Sequence, residues 1–163
     1  MEFTEICKPF ESLTTKELYA ILKLRSEVFV VEQNCVFLDT DDKDQSCQHL
    51  MLYQNKELMA YARIVPAGVS FKEPSIGRIA SSELARGKGF GKQLVKLAID
   101  NCIRLYGNQP IRIGAQLYLK TFYAAFGFES AGDIYDEDGI DHIEMIRPAK
   151  LNSTIQIPSY VTK

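Results

Sequence analysis

The apolar positions of the chain change period several times, and each change marks an element. From Phe90 to Tyr106 they recur at helical spacing. Phe90, Leu94, Val95, Ala98, Cys102 and Leu105 fall on one face, with Lys92, Lys96, Asp100 and Arg104 on the other. Gly107-Asn108 ends that helix. An earlier helix opens at Thr14-Thr15-Lys16-Glu17, a capping box in which Thr14 is the N-cap and Glu17 reaches back. Leu18, Ile21, Leu22, Arg25, Val28 and Phe29 continue it, and the pattern breaks before Asn34. Gln48–Tyr53 and Leu58–Val65 read as strands of a hairpin joined at Gln54-Asn55-Lys56-Glu57. Further strands are predicted at Phe3–Cys7, Ile76–Ser82, Ile111–Ala115, Glu129–Tyr135 and Ile140–Arg147, and a short helix at Tyr118–Phe126. The strand–helix–strand order from Ile76 to Ala115 predicts a right-handed crossover with parallel pairing. The elements together predict a mixed α/β sheet with helices on both faces.

The chain has 163 residues, which predicts one domain over residues 1–147 followed by a tail at 148–163. Ile155, Ile157, Tyr160 and Val161 stand in near alternation in that tail. It is expected to pack along a sheet edge of its own chain or of a partner in a two-fold dimer. A formal net charge of −2 gives no overall field to attract nucleic acid or an anionic membrane. No apolar run approaches the length of a membrane span, and no secretory signal is visible at the N-terminus. Cys7, Cys35, Cys47 and Cys102 lack Cys-x-x-Cys spacing and read as reduced thiols of a cytoplasmic protein. Asp39–Asp44 has the alternating acids of a calcium loop, but Lys43 and Asp44 stand where an acceptor and a glycine are required. A solvated acidic loop without metal is the expectation.

Chemistry concentrates between the strand Ile76–Ser82 and the helix Phe90–Tyr106. The connection carries Arg86-Gly87-Lys88-Gly89-Phe90-Gly91. Glycines there remove side chains that would keep an anion off the backbone, and the helix start supplies unpaired amides and a positive dipole end. Such a turn suits a phosphate or pyrophosphate. A Walker A loop would need glycine where Arg86 stands and Ser or Thr where Gln93 stands. A dinucleotide fingerprint starting at Gly87 would need glycine in place of Lys92. What remains, Arg-x-x-Gly-x-Gly after a strand, resembles the pyrophosphate loop of the GNAT superfamily of acyl-CoA-dependent acyltransferases. The segment Ala115–Phe128 resembles that superfamily's second signature, a strand and short helix ending in Phe-Tyr-x-x-Phe-Gly-Phe, with Gln116 where many relatives have Asn. Leu24-Arg25, Val28–Gln33, the acidic loop, His49-Leu50 and Glu137-Asp138-Gly139 with His142 are similar to the ElaA-like branch. Asp141 departs from it, since Pro is expected there.

The resemblance covers about Phe3 to Arg147 and implies a mostly antiparallel mixed sheet and acyl transfer, usually from acetyl-CoA, to an amine. It implies cofactor contacts at Ile79, Ala80 and Ser81 of a splayed strand, at Arg86, Gly87, Lys88, Gly89, Phe90, Gly91 and Lys92 of the loop, and at Gln116 and Tyr123. Tyr123 is the candidate acid for the departing thiolate, because a phenol is a proton donor at neutral pH. A main-chain N–H of the splayed strand is the candidate oxyanion donor. Glu32, His49, His142 and Glu83 are the candidate bases, directly or through water. The acceptor is a small-molecule amine or a protein amine. A non-catalytic CoA-binding module and an acyl-homoserine lactone synthase are the competing readings, the first disfavoured by Tyr123 and the second by the short chain and intact CoA loop.

Overall fold

A computed structural model describes residues 1–151. The expected dimer-forming tail lies outside the described residues from position 152 on. Eight strands form one sheet: β1 (Thr4–Pro9), β2 (Gln48–Gln54), β3 (Glu57–Val65), β4 (Ser75–Ser81), β5 (Ile111–Gln116), β6 (Glu129–Ser130), β7 (Tyr135–Glu137) and β8 (Ile140–Arg147). The order across the sheet is β1-β2-β3-β4-β5-β8-β6, with β7 also paired to β8. All pairs are antiparallel except β4 with β5. The parallel pair is the crossover predicted from the order of elements, and α2 (Phe90–Tyr106) is its helix.

Alternation along β2 and β3 divides the core into two layers. Leu50, Leu52, Ala60, Ala62 and Ile64 face α2, where they meet Leu94, Val95, Ala98 and Cys102. Met51 and Tyr61 point the other way, onto Ile21 and Leu24 of α1 (Thr15–Arg25). The period of two in the strands therefore places one helix on each face. The capping box is formed: Thr14 Oγ1 accepts from the Glu17 amide at 3.1 Å, and Glu17 Oε2 accepts from the Thr14 amide at 2.8 Å. After Arg25 the helix widens into a π-helical stretch over Ser26–Glu32 and stops at Asn34, whose φ is 49°. The hydrophobic period does not distinguish α from π winding over so short a run.

Two expectations are corrected. The strand predicted at Glu129–Tyr135 is broken into β6 and β7, and its register against β8 slips by two residues between Ser130 and Tyr135. The Ala-Gly-Asp sequence at Ala131–Asp133 has low strand propensity and forms the break. The acidic loop is solvated only at Thr40 and Asp42. Asp39 and Asp44 are buried, and with Asp41 they enclose three guanidinium groups. Arg25, fully buried at the end of α1, reaches Asp39 at 2.7 Å and Asp44 at 2.8 Å. Arg63 of β3 reaches Asp41 at 2.7 Å and Asp44 at 2.9 Å. Arg78 of β4 reaches Asp39 at 2.8 Å. The partners lie far apart in sequence, so the loop's polarity alone suggested exposure.

The cluster sets an acid limit on stability. Burial alone would raise the Asp41 and Asp44 carboxyls. Hydrogen bonds and charge from Arg63 at Asp41, and from Arg25 and Arg63 at Asp44, outweigh it and hold both below the usual carboxylate range. Carboxyls lowered in the folded state stabilise it fully above their unfolded value near ~3.9, and that stabilisation is lost as pH falls below it toward the folded values. Thermal melts should therefore show stability falling steeply below about pH 4. Asp44→Asn should lower the melting temperature at pH 7, where removing one partner of a buried ion pair costs about 3–5 kcal/mol, and should flatten the acid limb. An unchanged acid limb in Asp44→Asn would contradict this account.

Candidate active site

The sheet is incomplete at its centre. β4 and β5 meet only at Ser75 and Arg112, where the Arg112 amide donates to Pro74 O at 3.0 Å. Beyond that point the facing edges of β4 and β5 have no strand partner among the described residues. The gap is a cleft of about 830 Å³, within the range of ligand-binding pockets. Ile79, Ala80 and Ser81 of β4 line it, as do Arg86 and Gly91 of the glycine turn, Gln116 at the end of β5 and Tyr123 beyond it.

β4 leaves register with β3 as well. Tyr61 pairs with Ala80 but Arg63 with Gly77, so β4 carries one residue more than β3 in that interval. Arg78 lies in the bulge with φ of 48°. A left-handed arginine costs on the order of 1–3 kcal/mol and persists only where its surroundings hold it.

The glycine turn needs its glycines for conformation. Gly87 and Gly89 have φ of 72° and 81°, and no atom stands within 4 Å of where a Cβ would lie at Gly87, Gly89 or Gly91. Gly89 is the N-cap of α2, with no side chain occupying the helix start. The first helix bond there runs from the Gln93 amide to Gly89 O at 3.3 Å, which leaves the preceding amides of the first turn open by helix geometry. The Lys88 amide is already bonded to Ala85 O at 3.3 Å, so only its exposed side chain is free to meet an anion, while Lys92 has an exposed side chain as well as a first-turn amide. Phe90 turns its ring into the core against Phe3 and can offer a ligand only its backbone.

Tyr123 sits on α3 (Lys120–Ala124), 6% exposed, with its ring edge-on to Phe122 and Phe128. Burial pushes its phenol well above the ordinary value, so it is a neutral donor throughout the neutral range. The four base candidates separate. His49 is fully buried outside the cleft, with Nδ1 2.8 Å from the Tyr61 hydroxyl and Nε2 2.9 Å from Asp44 O. Burial lowers its pKa, and both ring nitrogens are engaged, so it is a core histidine and cannot meet a substrate. Glu83 is exposed on the short turn before Arg86 and does not line the cleft. Glu32 lines it but is paired with Arg86, which lowers its pKa and weakens it as a base. His142 also lines the cleft. Its Nδ1 donates to Ile140 O at 2.7 Å, and its Nε2 lies 3.3 Å from Glu137 Oε2.

Gln33, Phe71 and Tyr135 also line the cleft, and none of them is an expected site residue. Gln116 and Gln33 exchange amide hydrogen bonds at 3.2 and 3.4 Å across 83 positions of sequence. Tyr135 and Phe71 lie over Gly114: a Cβ there would stand 3.0 Å from the Tyr135 hydroxyl and 4.0 Å from the Phe71 ring. A side chain at Gly114 would press on the Tyr135 hydroxyl, which would have to give by a few tenths of an ångström, and would only touch the Phe71 ring. No helix among the described residues is long and apolar enough to cross a membrane.

Comparison with known proteins shows the family and the fold. The model of the acetyltransferase (GNAT) domain matches residues 25–147. Protein ElaA of Escherichia coli is 42% identical over 83% of this chain and 90% of its own. A UPF0039 protein of Synechocystis is also 42% identical, over 90% of this chain and 96% of its own. The crystal structure of E. coli ElaA superposes with a TM-score of 0.84, covering 90% of this chain and 99% of that one at 38% identity. An acyl-CoA N-acyltransferase from Pseudomonas aeruginosa superposes with a TM-score of 0.86 and the same coverage at 40% identity.

Proposed function

Because the chain belongs to the GNAT acetyltransferase family, we propose that it is an N-acetyltransferase moving an acetyl group from acetyl-CoA to a primary amine in one ternary complex. The observation that carries this reading is the unpaired β4 edge at Ile79–Ser81, which shares one cleft with the Arg86–Gly91 turn and with Tyr123. A small-molecule amine and a protein amine both fit the acceptor role.

Gly87, Gly89 and Gly91 receive the pyrophosphate on their amides, with Lys88 and Lys92 adding charge. Arg86 is held to Glu32, which ties the π-helical stretch to the turn and leaves Glu32 an anchor rather than a base. The pantetheine arm adds to the β4 edge as an extra strand, pairing with the backbone of Ile79 and Ser81. A main-chain N–H of that edge meets the oxyanion when the amine attacks the thioester carbonyl. His142 takes the proton of the incoming ammonium, and Glu137 beside Nε2 stabilises the imidazolium that results. Tyr123 donates its hydroxyl proton to the sulfur as the C–S bond breaks, and the proton shed by the newly acylated nitrogen restores the phenol. Its raised pKa keeps it protonated until that moment.

Two substitutions test the site. Gly89→Asp places a side chain and a negative charge where the backbone φ is 81° and the phosphate would lie. It should weaken CoA binding by about 1–3 kcal/mol, measured by titration calorimetry. Unchanged affinity would move the cofactor elsewhere. Tyr123→Phe keeps the ring packing and should leave CoA affinity little altered, while kcat falls roughly 10²–10⁴-fold in a thiol-release assay. Burial raises the phenol's pKa, so an alkaline limb due to its ionisation should lie above about pH 10 and vanish in Tyr123→Phe. Near-normal turnover of that variant with the best acceptor would remove Tyr123 as the acid.

A further inference from the structure

The bulge in β4 is made by an arginine, although bulges of this backbone shape favour glycine. A glycine stands next to it at Gly77, yet the left-handed residue is Arg78. Its side chain explains the choice. Arg78 Nε donates to Asp39 Oδ1 at 2.8 Å and Nη2 donates to Asp39 O at 2.9 Å, so one residue holds the guanidinium through side chain and backbone together. The Phe37 ring lies 5.8 Å from the guanidinium carbon. Asp39 is itself fixed, because its other carboxylate oxygen accepts from the fully buried Arg25 at 2.7 Å. The clamp thus runs from the end of α1 through the acidic loop to the strand that lines the cleft.

What the clamp fixes is register. A regular strand at this point would lose the extra residue, and a slip of one residue sends every following side chain to the opposite face. Ala80 would leave the layer under α1, and the backbone groups of Ile79–Ser81 would exchange between the β3 side and the cleft side. We infer that Arg78 is a positioning residue: clamped by Asp39, it holds the β4 bulge and so aims the main-chain groups of Ile79–Ser81 into the cleft. The inference rests on the acetyltransferase reading of those groups. Arg78 acts through the backbone beside it and not on the substrate.

Glycine adopts the left-handed conformation without a clamp, and alanine does not. Arg78→Ala and Arg78→Gly therefore separate a backbone role from a side-chain role. Purified full-length variants would be compared by acetyl-CoA turnover with an amine panel, CoA affinity by calorimetry, and thermal melting. In Arg78→Ala, CoA binding should weaken at least threefold, because the pantetheine arm pairs with the same backbone groups of Ile79 and Ser81, and kcat should fall at least tenfold. Arg78→Gly should recover at least tenfold of that loss, in a protein whose melting temperature is still below that of the unmodified chain. If Arg78→Ala does not fold while Arg78→Gly folds and turns over substrate, the inference also stands. Arg78→Gly as inactive as Arg78→Ala would overturn it and assign the guanidinium to the substrate. Full activity in both variants, or failure of both to fold, would overturn it too. If the unmodified protein turns over no amine, the acetyltransferase reading fails. The clamp is then judged on melting and CoA affinity alone, where alanine should be the worse of the two and equality would overturn it.

Discussion

A buried guanidinium without a counter-charge is among the most expensive things a protein can contain. This chain buries Arg25 completely and Arg63 almost completely, so the acidic loop has no freedom to be anything but their partner. That requirement pulls Asp39, Asp41 and Asp44 inward, draws the end of α1 onto β3, and brings Arg78 into the same cluster. The cluster joins the end of α1 to β3 and β4, with which that helix shares no hydrogen-bond ladder. The cleft opens beside it, lined on this side by Phe37, Asp41, Arg63 and Arg78.

The functional groups of the cleft come from two kinds of structure. The glycine turn and α2 are locally determined: helix start, glycine conformation and the open amides all follow from a dozen neighbouring residues. The rest of the cleft is assembled by packing. His142 with Glu137, Gln116 with Gln33, and Tyr135 over Gly114 each bring together residues of separate strands, or of a strand and the residue that caps the π-helical stretch. Geometry also sorts residues of one chemical type. His49 and His142 are alike in the sequence, yet one is locked between Tyr61 and Asp44 and the other faces the opening between β4 and β5.

This division explains what the sequence discloses. The bounds of α2 match its apolar period end to end, and the Thr14 capping box forms with both of its hydrogen bonds, because each is written within a few residues. The parallel pairing of β4 and β5 follows from connection rules alone. Arg78 carries no such signal: its backbone angle depends on Asp39, which lies 39 positions away. The acidic loop misleads for the same reason, since polarity predicts exposure only when the counter-charges are unknown. The break between β6 and β7 falls at Gly132, between two residues of low strand propensity, Ala131 and Asp133.

The single bridge between β4 and β5 has one more consequence. Unpaired strand edges are normally a hazard, because they template pairing with other molecules of the same protein. Here the two open edges face each other inside the molecule, lined in by Phe29, Phe71 and Tyr135. The fold keeps a reactive stretch of backbone available without presenting it at a rim where a neighbouring chain would add on. Resistance to aggregation and access for a slender ligand are then the same property, selected at the width of one strand.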